Sequence, residues 1–383
     1  MKIAINAADL DHQRIDGTRI YIQSLLKNFG SLDKESQFLI YHKGEFNPEL
    51  AFPVFENYMI RKLPFPFWWT QTRFAWEIFR EKPDALWMPM HSLPCLRSKK
   101  TKTFVTIHDL AFKFFPQFFP KRDLRRLNFF TDYAVKNADR LIAVSNSTKN
   151  DLLKIYPNLR EEKIKVIYHG YDKELFNKNT SPDEIKKINS KFKMATPPLL
   201  PGAKAYQNSK FILYVGAIQP RKNIETLVEA YKIVKKENGL GDLKLVIAGD
   251  LGWLYEPILK KIKSTEGVIY AGRFKTEDLP ALLRGAQVFV LPSLYEGFGL
   301  PVLEAMACGT PVIVADNSSI AEVAGEAGLL FDAYSSQNLA GSLKKILEND
   351  KLRYDLRKKG LERVKSFSWE KCARETLEWL IKW

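Results

Sequence analysis

Short apolar runs alternate with amphipathic, helix-like stretches along almost the whole chain, and this alternation restricts the fold more than any other feature. In the first half the runs are residues 2–6, 37–41, 85–88, 102–107, 140–144 and 165–168. In the second half they are 211–215, 243–248, 268–270, 288–291 and 311–314. The run Ala286-Gln287-Val288-Phe289-Val290-Leu291-Pro292 lacks the regular polar alternation of a half-solvated strand, as expected of a strand buried on both faces of a parallel sheet. Strands of this kind alternating with helices predict an α/β protein with two doubly wound, Rossmann-like sheets. The breaker-rich segment Thr196-Pro197-Pro198-Leu199-Leu200-Pro201-Gly202-Ala203-Lys204 follows a helical pattern over 182–192 and reads as an interdomain linker. The expected division is an N-terminal domain over 1–195, a linker over 196–209, a C-terminal domain over 210–365 and a last helix over 366–383. That helix carries Trp369, Ala373, Leu377 and Leu380 at helical spacing. At 383 residues the chain is long enough for two full hydrophobic cores.

The chemistry concentrates where two strand-like runs end. After 288–291 comes Glu296-Gly297-Phe298-Gly299-Leu300-Pro301-Val302-Leu303-Glu304, a glycine-rich turn opening a helix, with a carboxylate on either side. Gly297 and Gly299 permit backbone geometries that a Cβ resists, and Pro301 suits the first helical turn. The N–H groups around 299–303 would face an anion, so a phosphate fits this turn. Glu296 and Glu304 would flank the same ligand, one on a sugar and the other on a ribose. After 211–215, Gly216 leads into Ala217-Ile218-Gln219-Pro220-Arg221-Lys222-Asn223, which places two cations at a second strand end. In a parallel sheet both ends open on one edge, so Arg221 and Lys222 would face that phosphate. Together the two segments describe a diphosphate site.

This combination resembles the retaining nucleotide-sugar glycosyltransferases of the GT-B fold, the large group 1 family also called family 4. The Glu-x7-Glu signature is matched by Glu296 and Glu304, and the strand-loop 216–223 is the second match. Weaker matches follow in order along the chain: Val105-Thr106-Ile107-His108-Asp109-Leu110, Ala143-Val144-Ser145-Asn146-Ser147, Val166-Ile167-Tyr168-His169-Gly170-Tyr171-Asp172 and Tyr270-Ala271-Gly272-Arg273. The resemblance implies two Rossmann-like domains facing a cleft that closes about the linker, with the last helix crossing back to the first domain. It implies donor binding by Gly17, Gly216, Arg221, Lys222, Glu296, Phe298, Gly299, Leu300 and Glu304, and catalytic roles for His108, Glu296, Arg221 and Lys222. Glu296 would bind donor hexose hydroxyls, Glu304 would accept from the ribose, and Lys222 aligns with the family's phosphate-binding lysine. His108 would reach the cleft from the first domain. For Glu304 a purely structural role as a first-turn acid is the alternative, and for His108 that of a capping or core histidine. No general base is evident, which fits a front-face reaction in which the leaving phosphate takes the acceptor proton. The pattern is broken twice. Ala217 stands where the family often has arginine, a role that falls to Arg221, and Arg19 replaces the second glycine of Gly17-Thr18-Arg19, suggesting a charged contact there.

The resemblance implies a nucleotide diphosphate sugar as donor substrate, GDP-mannose first or a UDP-sugar, with no cofactor and no metal. The pair Asp9 and Asp11 imitates a metal motif of another transferase fold, and His12, His42, His91 and His169 lack ligand spacing. Base recognition would rest on loops 249–255 and 273–279. The alternatives are a nucleotide-sugar epimerase or phosphorylase of the same architecture, and a non-catalytic basic protein that binds membrane or nucleic acid.

Charge bears on the acceptor. The chain carries a net charge of +15. Residues 1–195 hold 33 Lys and Arg against 22 Asp and Glu, net +11, leaving +4 for the remainder. Cations and aromatics adjoin over 64–73 and 112–126, as on a surface that rests on anionic lipid; the alternative places those aromatics in the core. A glycan or lipid-linked acceptor of surface polysaccharide assembly is the expected partner. No nucleic-acid module is recognisable. Cys95, Cys308 and Cys372 lack metal-ligand spacing and read as buried thiols of a reducing cytosol. No run approaches the length of a spanning helix, and the N-terminus reads as a strand, so the expected location is cytoplasmic, either free or peripheral at the inner membrane face.

Overall fold

The computed structural model describes residues 1–191, 211–237 and 242–383. They form two compact units. The first comprises Met1–Pro116, Pro120–Gly170 and Phe367–Trp383, and the second Gln117–Phe119 and Tyr171–Ser366. The N-terminal stretch of the first unit runs to Gly170, and residues from Tyr171 on fall in the second unit, where the expected boundary was at 195. The helix Pro182–Lys191 packs against Leu279–Gly285 of the second unit, and its Ile185 and Ile188 are buried. Residues 196–209, expected as the linker, lie outside the described residues.

The first unit is built on seven parallel strands: β1 Lys2–Asn6, β2 Gln37–His42, β3 Tyr58–Lys62, β4 Ala85–Met88, β5 Lys102–Ile107, β6 Arg140–Ala143 and β7 Ile164–Val166, in the order β3-β2-β1-β4-β5-β6-β7. The second has six: β8 Phe211–Val215, β9 Lys244–Ala248, β10 Val268–Gly272, β11 Val288–Leu291, β12 Val312–Ala315 and β13 Gly328–Phe331, in the order β10-β9-β8-β11-β12-β13. Both orders run outward from the first strand and then reverse, the doubly wound arrangement in which a crevice opens beyond the strand ends at the reversal. In the second sheet that reversal lies between β8 and β11.

Two strands escaped the pattern of apolar runs, β3 and β13. Both are edge strands with largely exposed or half-buried residues, so neither needs a continuous apolar sequence. The central strands β4, β11 and β12 are buried throughout.

The last helix, Trp369–Ile381, belongs to the first unit as expected. Its Cys372, Ala373, Leu377 and Leu380 share a core with Tyr21, Leu25 and Phe29 of the helix Gly17–Leu32. Gly170 makes the approach possible: a Cβ there would lie 2.0 Å from the backbone nitrogen of Trp369. Arg140 then lies over the Trp379 ring at 4.0 Å and donates to the carbonyls of Trp379 and Lys382.

Candidate active site

Glu296, Arg221 and Lys222 are brought together at the β8/β11 reversal. Arg221 Nη1 donates to Glu296 Oε2 at 3.2 Å and to the Tyr295 carbonyl, and Lys222 Nζ lies 2.5 Å from Glu296 Oε1. Ser293 Oγ donates to the same Oε1 at 2.6 Å. The Glu296 backbone is fixed as well. Its N–H donates to Ser318 Oγ at 3.1 Å, and its carbonyl accepts from Ser319 Oγ at 2.8 Å. Burial by itself would raise the Glu296 carboxyl, but Lys222, Arg221 and the Ser293 hydroxyl outweigh it and hold the pKa down at about 2. Two cations share one carboxylate, so the three side chains together carry a positive excess suited to an anion.

The two loops are tied by their backbones. Leu294 N–H donates to the Arg221 carbonyl at 2.9 Å. Asn223 adopts the left-handed conformation (φ 55°), which asparagine tolerates better than most residues. Its Nδ2 donates to the carbonyls of Pro292 (3.0 Å) and Ala333 (2.8 Å). Asn223, Ser293, Ser318 and Ser319 were not singled out from sequence. The only available signal was small polar residues in two loops, which does not reveal which atoms they meet.

The helix after the glycine turn spans Leu300–Ala307, with Gly299 as its cap at φ 96°. A Cβ at Gly299 would stand 2.7 Å from Ile320 Cγ2, so both conformation and space demand glycine. The Phe298 and Leu300 side chains are buried, which leaves the backbone of this turn as the part suited to meet a ligand. Gly216 stands at the end of β8, where its N–H is engaged by the Ala248 carbonyl at 2.9 Å.

Glu304 occupies a different environment from Glu296. It is half-buried, a turn into the helix, and among the described residues its carboxyl accepts no hydrogen bond. Burial, and secondarily the nearby Asp172 carboxylate, push it up to about 7. Asp172 is itself held in a turn, accepting from the N–H groups of Glu174 and Leu175. The pair of carboxylates is disposed to receive hydroxyl donors.

His108 and Gly17 belong to the first unit. His108 follows β5, and its Nε2 lies 2.8 Å from the Pro89 carbonyl, so Nε2 carries the proton and Nδ1 keeps its lone pair. Its backbone N–H donates to His91 Nε2 at 2.6 Å. The rings of Tyr21, His91 and His169 surround it, at centroid distances of 5.1, 5.9 and 5.7 Å. Burial lowers the pKa values of His108, His91 and His169, so all three imidazoles are neutral near pH 7. This gathering of three histidines was not legible in their spacing.

Gly17 opens the helix Gly17–Leu32, whose N-cap is Asp16. Arg19 turns back onto this cap. It is paired with Asp16, donates Nε to the Asp9 carbonyl at 3.1 Å, and lies 3.8 Å from the Asp9 carboxylate. The arginine that replaces the second glycine is thus engaged by two local acids. Asp11 accepts from the N–H groups of Lys43 and Gly44 and meets His42 Nδ1 at 3.1 Å. Among the described residues no group of three or more His, Cys, Asp or Glu gathers as metal ligands would.

Two expectations about exposure change. Cys95 is exposed, held in a loop where its N–H donates to Gln71 Oε1; Cys308 and Cys372 are buried. The aromatics divide as well. Phe112 and Trp69 are core, whereas Phe65, Phe67, Trp68 and Phe129 are exposed. No helix among the described residues is long and apolar enough to cross a membrane.

Comparison with known proteins decides the family. Residues 201–363 match the family described as glycosyl transferases group 1, and residues 15–175 match glycosyltransferase family 4. The O-antigen chain mannosyltransferase B of Escherichia coli is 30% identical over 308 residues, which are 80% of this chain and 76% of that protein. The chain belongs to the group 1, or family 4, glycosyltransferases. A second relative of this glycosyltransferase is the serotype-specific mannosyltransferase WbdA of Escherichia coli, 28% identical over 72% of the chain but over only 33% of the relative's own length. Among solved structures, HepE of Anabaena in complex with UDP and glucose superposes with a TM-score of 0.73 at 18% identity, covering 99% of both chains. The likeness shows a GT-B fold.

Proposed function

We propose that this glycosyltransferase moves a hexose, mannose first, from a nucleotide diphosphate sugar to a glycan or lipid-linked acceptor of surface polysaccharide assembly, with retention and without a metal. The observation that carries this reading is the Glu296–Arg221–Lys222 cluster at the strand-order reversal. Mannosyl transfer is favoured by the names of the two Escherichia coli relatives, and a nucleotide diphosphate donor by the UDP in the HepE structure.

In the reaction the bond from the anomeric carbon to the diphosphate oxygen breaks, and the acceptor hydroxyl bonds to that carbon. Positive charge develops on the sugar while negative charge gathers on the leaving diphosphate. Lys222, with Arg221 behind it, would stabilise the diphosphate, aided by the backbone at Phe298–Leu300 and the helix it opens. Glu296, kept ionised by its two cations, would hold donor hydroxyls and the developing positive charge. Glu304 would accept the ribose hydroxyls, which supply partners for a carboxyl that accepts no hydrogen bond among the described residues. The acceptor proton would leave with the phosphate oxygen, and neutral His108 would orient the sugar or the acceptor.

Thermal shifts with GDP, UDP, ADP and their sugar conjugates test the reading. One base should stabilise the wild type, and Lys222→Ala should lose that shift. Stabilisation by none of them would refute donor binding. Retention is checked separately by NMR of the product anomer, and metal independence by transfer in the presence of a chelator.

A further inference from the structure

We propose that the first unit docks onto a bilayer containing anionic lipid through the loop 64–68 and the adjoining face of the helix Lys121–Asn137. This deepens the proposed function by naming the surface that would bring the enzyme to a lipid-linked acceptor, and it rests on that reading only for the acceptor.

The loop presents Phe65, Phe67 and Trp68 to solvent, with Phe67 71% and Trp68 73% exposed. Large aromatics are normally among the more buried residues, so an adjacent pair this open calls for a reason. The loop is held in this form. Trp68 sits at φ 47°, a left-handed conformation that is strained for a bulky side chain. Next to it Trp69 is buried, stacked on Phe74 with ring centroids 4.9 Å apart, and its Nε1 donates to the Leu63 carbonyl. Thr72 Oγ1 donates to the carbonyls of Phe67 and Trp68, each at 3.0 Å. One tryptophan anchors the loop while its neighbour is displayed.

The display adjoins a basic helix. The Trp68 ring meets Phe130 at 6.2 Å, and Phe130 meets the exposed Phe129 at 5.3 Å. On the same helix Lys121, Arg122, Arg125 and Arg126 are exposed against one exposed acid, Asp123, the second acid Asp132 being half-buried and paired with Lys113, and none of these four cations makes an ion pair among the described residues. Arg122, Arg125, Arg126 and Phe129 fall at helical spacing on one stripe. The helix Arg73–Glu81, just beyond the loop, adds exposed Trp76. Rings at headgroup depth with guanidinium groups toward phosphate are the two halves of an interfacial binding surface. Charge complementarity selects an anionic bilayer over a neutral one, and the displayed rings select a bilayer over a soluble polyanion.

Sedimentation of the full chain with phosphatidylcholine vesicles, with and without about 30% phosphatidylglycerol, provides the test. Binding to the anionic vesicles should be more than tenfold tighter than to the neutral ones and should weaken with salt. Both Phe67→Ser/Trp68→Ser and Arg122→Glu/Arg125→Glu/Arg126→Glu should lose at least tenfold. Trp68→Phe should keep binding but reduce the quenching of tryptophan fluorescence by brominated lipid. Equal binding to both vesicle types, binding untouched by the Phe67/Trp68 variant, or a dimer in sedimentation velocity that this variant dissolves would each overturn the proposal. The last would assign the surface to a second copy of the chain. Nucleotide-induced thermal shifts should be unchanged in these variants, so failure here is separable from failure of the donor-site reading.

Discussion

Removing the charge of Glu304 should stabilise the second unit at alkaline pH, the reverse of what loss of an acid in a salt bridge does. The folded carboxyl titrates at about 7 against an ordinary 4.5. A raised value means the folded state holds the proton more tightly than the unfolded chain. The associated stability is fully present below about pH 4.5 and is lost as pH rises through about 7. The full shift corresponds to about 3 kcal/mol at 1.36 kcal/mol per unit. Comparing about pH 5 with about pH 8, and allowing for partial exposure, leaves about 2 kcal/mol. Glu304→Gln keeps the shape and cannot ionise. It should therefore match the wild type near pH 5 and melt about 4–8 °C higher near pH 8 in calorimetric scans of the second unit's transition. In the same protein the nucleotide-induced shift should fall, because the proposed ribose contact loses an ionisable acceptor. A variant that melts lower than wild type at both pH values would refute the argument. It would mean that Glu304 is held by favourable contacts instead of standing buried beside Asp172.

Glu296→Gln should do the opposite, costing about 3 kcal/mol near neutrality by leaving Arg221 and Lys222 buried without their anion, and abolishing transfer; urea unfolding and product assay check both. Because the Glu296 carboxyl is depressed to about 2, its contribution is present above about pH 4.5 and lost as pH falls toward 2, so acid unfolding of the wild type should be steep in that window and shallower in Glu296→Gln. Asn223→Ala removes two loop-spanning hydrogen bonds and a residue suited to φ 55°, for a loss of about 2–3 kcal/mol and a weakened nucleotide shift. Gly299→Ala forces a Cβ toward Ile320 at φ 96° and should cost about 1–3 kcal/mol with loss of donor affinity measured by calorimetric titration.

Much of this protein was legible in its sequence because the signals are local. Continuous apolar runs announce central parallel strands such as β11 and β12, since every face of such a strand is buried. Edge strands need no such run, and two of the four, β3 and β13, were invisible, whereas β7 and β10 were not. The residues of the candidate site could be noticed for the same reason: glycines and charged residues at strand ends need no tertiary information to be suspected. What the sequence could not supply was which atoms meet. Only the fold sets Arg221 and Lys222 on Glu296, 75 and 74 residues away respectively, and so makes one of two similar carboxylates strongly acidic and the other nearly neutral. Only the fold turns Arg19 onto Asp9 and Asp16, and gathers Tyr21, His91 and His169 around His108. It also decides which aromatics are core and which are displayed, burying Trp69 and exposing Trp68 one residue away. Composition, periodicity and turn chemistry act within a few residues and are written along the chain. Burial, ion pairing and the protonation states they set depend on neighbours distant in sequence, and these exist only once the sheets have formed.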